Sequence, residues 1–242
     1  MHHQLMNKLS KHIGFFFLLI ITLSLSSCKD EKETYTPDYQ YSYFPTDSGH
    51  YVIYDVDSVV YLNTNQSDTA RYQLMILVGD TFYDSQNELA KRLWLFKREN
   101  ASSPWTFDRL WWMQMKTTSL QVIEDDLRFV KFIFPPGKGN RWNGNAYLPT
   151  TSPFDVFSEW NYIYTDVGVP FNNGVLNFNE CAIVESVNEE NVIEKKLRTE
   201  VYGKNVGLVY QEYEILGKQP SSDWITGPNR GFRIRMKAIE HN

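Results

Sequence analysis

The chain has 242 residues and a formal net charge of −5, from 24 Lys and Arg against 29 Asp and Glu. This acidic balance contains no basic block and so disfavours nucleic acid as a partner, since phosphate binding depends on clustered Lys and Arg. The 7 Trp, 15 Tyr and 15 Phe can fill a sizeable core. The length after removal of a leader suits one β-rich domain.

The first 27 residues have the pattern of a secretory signal peptide. Lys8 and Lys11 precede the apolar run 13–21, which is the order of a positive n-region and a short h-region. A membrane-spanning helix needs about 20 apolar residues. The run is shorter than that, so we predict a signal peptide over 1–27 and no permanent span.

Cys28 lies where the apolar run meets a charged run. The segment Leu25-Ser26-Ser27-Cys28 resembles the bacterial lipobox, in which the cysteine is acylated and becomes the first residue of the mature chain. The resemblance implies a lipid anchor on Cys28. The alternative is an ordinary signal peptide whose cleavage site happens to precede a cysteine.

A flexible tether is predicted over 28–43. It begins with the charged run KDEKE and continues as a polar stretch that contains proline, a composition typical of solvated linkers. Lys29, Asp30 and Glu31 also resemble the signal that sends Bacteroidetes lipoproteins to the outer face of the outer membrane. We therefore expect a lipid-anchored outer-membrane protein, facing the cell surface, whose membrane contact is its lipid.

Cys181 is the only other cysteine, so acylation of Cys28 leaves no intramolecular disulfide. Its run, NECAIVESV, alternates as a strand does. Cys181 is most simply a small buried hydrophobic residue. A catalytic thiol would need a histidine partner, which the sequence does not suggest.

From residue 44 to residue 242 the pattern is that of one mainly β domain. About eleven short runs alternate, or are apolar on both faces, between Gly, Pro and polar segments. They predict an antiparallel curved sheet, a half-barrel or barrel, with little helix. The segments 85–93 and 151–160 could each hold a short helix, the second with Ser152 as N-cap. Residues 84–88 are equally typical of a hairpin loop.

Two Gly- and Asn-containing segments predict turns. YGKNVGL, 202–208, predicts a hairpin in which Gly203 or Asn205 takes a positive φ. FPPGKGNRWNGNAY, 134–147, predicts a long loop. Loops often carry binding residues, and this one presents a candidate binding loop of Arg141, Trp142, Asn143, Asn145 and Tyr147. The alternative is a plain hairpin loop with a tight turn at Asn143-Gly144.

Trp111 and Trp112 are adjacent in a predicted strand and must point to opposite faces. At most one of them needs to be in the core. The other either lines a concavity or packs under a loop.

Three blocks carry a family resemblance. They are TFYDSQNELAKRLWLFKRE, RFVKFIFPPGKGNRWNGNAY and EVYGKNVGLVYQE, and they look like blocks of uncharacterised Bacteroidetes lipoproteins. The resemblance implies an antiparallel half-barrel like that of the periplasmic lipoprotein carriers of the LolA and LolB type. It implies no activity and no catalytic residue.

An enzyme is not expected, and neither is a cofactor. After the signal peptide the only histidines are His50 and His241. Two histidines so far apart in the sequence give little support for a His-rich metal site or a Ser-His-Asp arrangement. Carboxylates could in principle act as acid and base on a glycan. The candidate clusters, Glu124 with Asp125 and Asp126 and Glu189 with Glu190, lie between strand-like runs and are predicted to be solvated turns.

Two tripeptides resemble the Bacteroidetes acceptor for O-glycans. They are Asp57-Ser58-Val59 and Asp68-Thr69-Ala70. Ser58 lies inside a predicted strand, so Thr69, in a predicted turn, is the better candidate.

Two functions remain. The first is a non-catalytic binding module that holds an apolar or amphipathic ligand, such as an acyl chain, and it predicts a pocket on the order of several hundred Å³. The second is a structural or interaction component of the envelope that contacts protein or glycan through its loops. It predicts a filled interior.

Overall fold

The computed structural model describes residues 37–63, 66–158 and 160–242. Residues Asp38–Asn242 form one compact unit. The predicted signal peptide, Cys28 and the export signal at residues 29–31 lie outside the described residues. Within the described ranges, no helix is long and apolar enough to cross a membrane.

Twelve strands supply most of the regular structure in the described part of the chain. They are β1 (Tyr51–Asn63), β2 (Gln66–Tyr83), β3 (Leu89–Arg98), β4 (Thr106–Met115), β5 (Ser119–Glu124), β6 (Leu127–Ile133), β7 (Arg141–Trp142), β8 (Tyr162–Asn172), β9 (Asn177–Glu190), β10 (Glu194–Gly203), β11 (Gly207–Lys218) and β12 (Pro228–His241). Two short 3-10 turns, Tyr41–Tyr43 and Phe154–Phe157, complete the elements.

The strands form a single antiparallel sheet that is nearly closed into a barrel. Its order is β6-β5-β4-β3-β2-β1-β12-β11-β10-β9-β8-β7. Every neighbouring pair is consecutive in the chain except β1 and β12, which join the first strand to the last. The predicted mainly β fold is confirmed, and the strand beyond the predicted eleven is the two-residue β7 inside the long loop.

The two-residue period of the strands determines which side chains are buried in the interior. In β1, Val52, Tyr54 and Val56 are buried, whereas Asp55 and Asp57 between and after them are exposed. Alternate residues of a strand point to opposite faces. The buried hydrophobic residues of the different strands form one core cluster that is rich in tyrosine.

The predicted helices are not formed as α-helices. Residues 84–88 are the hairpin loop between β2 and β3, where the Asp84 amide donates to the Glu88 carbonyl at 2.9 Å. The segment 151–160 contains only the 3-10 turn Phe154–Phe157. The predicted hairpin at 202–208 is confirmed between β10 and β11, with Asn205 at φ 64°.

The packed chain includes residues before 44, where the sequence placed the start of the domain. Tyr43 is 1% exposed, and its ring lies 6.1 Å from that of Phe132. The Asn205 amide donates to the Ser42 carbonyl at 2.6 Å. The end of the predicted tether is therefore part of the core.

The two candidate O-glycan acceptors lie on neighbouring strands. Ser58 is in β1 and pairs with Ala70. Thr69 is exposed, but it lies within β2 opposite Val59 and not in a turn. The prediction of a turn there was wrong because the β1–β2 hairpin continues to Asn63 and Gln66. Glycosylation itself stays a prediction.

The sheet is closed across its two ends by side-chain hydrogen bonds and one backbone hydrogen bond instead of a strand ladder. The Tyr164 hydroxyl on β8 accepts from the Ile133 amide at 2.9 Å and donates to the Ile133 carbonyl at 2.7 Å. Trp142 Nε1 donates to the Val130 carbonyl at 2.7 Å, and the Val130 amide donates to the Gly144 carbonyl at 2.7 Å. Backbone groups on both ends of the sheet are thereby satisfied.

The closure depends on a neutral tyrosine and a close backbone approach. Burial raises the pKa of Tyr164, although its bond to Ile133 opposes this, so its hydroxyl keeps its proton. A Cβ atom at Gly144 would lie 2.3 Å from the ring of Tyr162. Glycine is therefore required where this loop crosses the ring.

Tyr164→Phe should lower the free energy of unfolding by about 2 kcal/mol, because it removes one hydroxyl that satisfies both backbone groups of Ile133. Urea unfolding measures the loss, and hydrogen exchange should show faster exchange of the Ile133 amide. Tyr83→Phe is the control, since Tyr83 is 66% exposed, and its change should stay within about 0.5 kcal/mol. Equal stability of the two variants would contradict closure through Tyr164.

Candidate binding cavity

The barrel encloses a cavity of about 370 Å³. Its lining residues come from β1 to β6 and from β10 to β12. Phe44 and Pro45, before β1, and Phe157, in the second 3-10 turn, also contribute. The cavity is thus the interior of the barrel, as the first functional hypothesis expects.

One wall of the cavity is aliphatic. It is built from alternate residues of β1, β2 and β3 and from β12, which place one side chain in two toward the interior. These residues are Val52, Leu74, Ile76, Val78, Leu93, Leu95, Ile234 and Met236. This wall offers an apolar chain a surface from which water is excluded.

The facing wall carries four charges, which we call the ion cluster: Glu124 on β5, Lys131 on β6, and Arg198 and Glu200 on β10. Lys131 Nζ lies 2.9 Å from Glu124 Oε1 and 2.7 Å from Glu200 Oε1. Arg198 Nη2 lies 3.6 Å from Glu124 Oε2 and 3.0 Å from Glu200 Oε1. Each side chain is at most 15% exposed, and the four charges cancel.

Aromatic residues support the ion cluster. The Tyr202 hydroxyl donates to Glu200 Oε2 at 3.2 Å. The Phe129 ring lies 5.6 Å from Lys131 Nζ and 5.7 Å from Arg198 Cζ, within the range of a cation–π contact. The cations are thereby held between carboxylates and an aromatic face.

Glu200 and Arg198 stay charged at neutral pH. Burial raises the pKa of Glu200, but Arg198, Lys131 and the hydrogen bonds of Lys131 and Tyr202 outweigh it and hold the pKa at about 2. Burial lowers the pKa of Arg198, but the charges of Glu200 and Glu124 raise it well above its ordinary value. Buried charges persist when they are paired and hydrogen-bonded.

A third cation stands where the cavity reaches solvent. Arg109 Nε lies 2.7 Å from Asp108 Oδ2, and its Nη1 lies 3.1 Å from Asp125 Oδ2. Trp111 Nε1 donates to Asp125 Oδ1 at 3.1 Å. All four residues line the cavity. We call Asp108, Arg109 and Asp125, which are exposed, the rim.

Trp111 and Trp112 do point to opposite faces. Trp111 lines the cavity. Trp112 packs outside, with its ring 5.8 Å from that of Phe82 and 5.1 Å from Arg128 Cζ. The tryptophan that lines a concavity is therefore Trp111.

The prediction that Glu124 lies in a solvated turn was wrong. Glu124 is the last residue of β5 and faces the interior, two residues after Val122, another lining residue. Asp125 and Asp126 do form the turn to β6, at φ 49° and 68°. Glu189 and Glu190 are exposed at the end of β9.

The candidate binding loop is partly used inside the molecule. Trp142 and the adjacent Gly144 belong to the barrel closure. Asn145 is 7% exposed: its Nδ2 donates to the Phe157 carbonyl at 2.9 Å and its Oδ1 accepts from the Tyr162 hydroxyl at 3.0 Å. Asn143 Oδ1 accepts from the Asn145 amide at 3.0 Å. Arg141 and Tyr147 are exposed, and a binding role for the loop stays a prediction.

Lys131, Arg198 and Glu200 were not predicted from the sequence as residues of the site. The strongest available signal was Lys131, because LRFVKFIF places apolar residues on both sides of it. A lysine in a strand that is apolar on both faces must be buried and paired. Arg198 and Glu200 gave a weaker signal, since alternating charges in a strand are typical of an exposed face.

Cys181 is fully buried, and burial raises the pKa of its thiol to about 11. A thiol in this state is not a nucleophile at neutral pH. Among the described residues, no group of three or more His, Cys, Asp or Glu is placed to hold a metal ion.

Glu200→Gln should lower the free energy of unfolding by about 3 to 5 kcal/mol, because Lys131 and Arg198 keep only Glu124 as a partner. Glu189→Gln is the matched control: Glu189 is 52% exposed and 3.7 Å from Lys196, so its change should stay below about 1 kcal/mol. Chemical unfolding at pH 7 compares the two.

The pH dependence of the free energy of unfolding at acid pH tests the ion pairing of Glu200 in the same cluster. The pKa of Glu200 is about 2 when folded, against an ordinary value of 4.5. Its stabilisation is therefore present above about pH 4.5 and is lost as the pH falls toward 2. Glu200→Gln should flatten this part of the curve, and a curve parallel to that of the unaltered protein would contradict the assignment.

Comparison with known proteins gives a fold likeness at low similarity. No family model and no curated protein matches the chain. Among solved structures, a candidate lipoprotein from Parabacteroides distasonis is 12% identical, with a TM-score of 0.35, over 83% of this chain and 98% of that one. A hypothetical protein from Chlamydia trachomatis is 9% identical, with a TM-score of 0.32, over 84% and 91% of the two chains. At this level of similarity, neither carries an inference about function.

Proposed function

We propose that this protein is a non-catalytic binding module of the cell envelope that holds an apolar or amphipathic ligand inside its barrel. The observation that carries the proposal is a cavity of about 370 Å³ with one aliphatic wall and one charged wall. Ligand pockets commonly measure about 300 to 1,000 Å³ and are mostly apolar with a few placed polar groups.

The state of the charged wall supports binding over catalysis. A general acid that acts on a glycan needs a raised carboxyl pKa. Burial raises the pKa of Glu200, but its cationic partners outweigh this and hold it at about 2. Glu200 is therefore an ion-pair partner and a poor proton donor.

The envelope location rests on the sequence. The lipobox-like segment that ends at Cys28 and the signal-like residues 29–31 would anchor the domain to the outer membrane by a lipid. An amphipathic ligand is available there. The alternative, a loop-mediated structural component, predicts a filled interior, and the interior holds a cavity instead.

Native mass spectrometry of the full chain, produced in a Gram-negative host, tests the proposal. We expect an added mass that leaves when the protein is denatured, since acyl groups attached covalently to Cys28 would stay. A lipid extract added to stripped protein should restore this mass. A bare protein that takes up nothing from the extract would overturn the proposal.

Ile76→Trp should weaken this uptake, because Ile76 lines the cavity and the larger ring narrows it. Leu77→Trp is the matched control. Leu77 is the next residue of β2 and does not line the cavity, so uptake should be unchanged. Thermal unfolding of both variants shows that they are folded, and equal uptake by the two would place the ligand outside the barrel.

A further inference from the structure

The charged groups of the cavity wall limit the kind of polar group that a ligand could place beside them. Each cation that lines the cavity is already bound to two carboxylates. Lys131 and Arg198 both contact Glu124 and Glu200. Arg109 contacts Asp108 and Asp125. An anionic group on a ligand would have to compete with two carboxylates for every cation.

Two tyrosine donors near the ion cluster are engaged as well. The Tyr202 hydroxyl donates to Glu200 at 3.2 Å, and the Tyr54 hydroxyl donates to the Leu208 carbonyl at 2.8 Å. Both side chains line the cavity. These two hydroxyl donors are committed to protein acceptors, whereas Nε of Arg198 is buried and has no hydrogen-bond partner among the described residues.

The carboxylates that line the cavity can accept further hydrogen bonds. An ionised carboxylate offers about four lone-pair sites, and four carboxylates line the cavity: Asp108, Glu124, Asp125 and Glu200. They face three cationic side chains, so the lining residues carry one more negative than positive charge. Glu124 is the more accessible carboxylate of the ion cluster, 15% exposed against 1% for Glu200.

We infer that the ligand is an amphiphile whose polar end donates hydrogen bonds and carries no negative charge, such as an alcohol or an amine. This inference rests on the proposed function. The polar end meets Glu124 and the rim, and the tail lies against the aliphatic wall. A carboxylate or phosphate end is disfavoured electrostatically, because it would be desolvated in a lining of net negative charge whose cations are each already paired with two carboxylates.

Equilibrium dialysis of the full chain at pH 8 tests this inference with four amphiphiles of one tail length, each below its micelle concentration. The probes are monodecanoylglycerol, decylamine, decanoate and decyl phosphate. We expect the first two to bind at least tenfold more tightly than the last two. Within each pair, lengthening the tail by one methylene should tighten binding about fourfold.

The outcomes separate the two proposals. Binding of decanoate or decyl phosphate as tightly as that of the alcohol and amine would overturn the inference and leave the proposed function standing. Failure of all four probes to bind in the cavity, with Ile76→Trp making no difference, would overturn both.

A pair of variants locates the polar end. Glu124→Gln should weaken decylamine at least fivefold and monodecanoylglycerol less than twofold, because an amide oxygen still accepts from a hydroxyl but no longer attracts a cation. Asp126→Asn is the matched control: Asp126 is exposed in the same turn and does not line the cavity. An equal effect of the two variants on decylamine would reject Glu124 as its partner.

Discussion

The interior of this protein exists because a tyrosine side chain joins the two ends of its sheet. A curved sheet of twelve strands ends in β6 and in the short β7, and its end strands present unpaired backbone groups. Tyr164 supplies both a donor and an acceptor to Ile133. Exposed strand edges also invite pairing with other chains, so this closure also protects the molecule from such pairing.

The ion cluster crosses the same interior and ties together strands that share no ladder. Glu124 and Lys131 lie on β5 and β6, at one end of the strand order, and Arg198 and Glu200 lie on β10, toward the other. Each buried charge has two opposite partners, so its desolvation is offset by pairing. The cluster can therefore sit in a mostly apolar barrel without an uncompensated charge.

These two features together produce a chamber with two unlike walls. The aliphatic wall of β1, β2, β3 and β12 favours any apolar chain. The charged wall is selective, because each of its cations is already paired with two carboxylates and the lining as a whole carries a net negative charge. Under the proposed function, the aliphatic wall accepts the tail of a ligand, and the charges of the facing wall select the chemistry of its polar end.

The sequence by itself determined the β class, the approximate strand positions and the β10–β11 hairpin. These depend on local alternation and on turn residues such as Asn205, which takes a positive φ. It also separated Trp111 from Trp112, since neighbours in a strand point to opposite faces. Only the tertiary structure decided the position of Glu124, which looked like part of an acidic turn, and the pairing of Lys131 with Glu200, 69 residues away. Alternation shows which residues share a face of one strand, but which faces meet across a barrel depends on how the whole sheet closes.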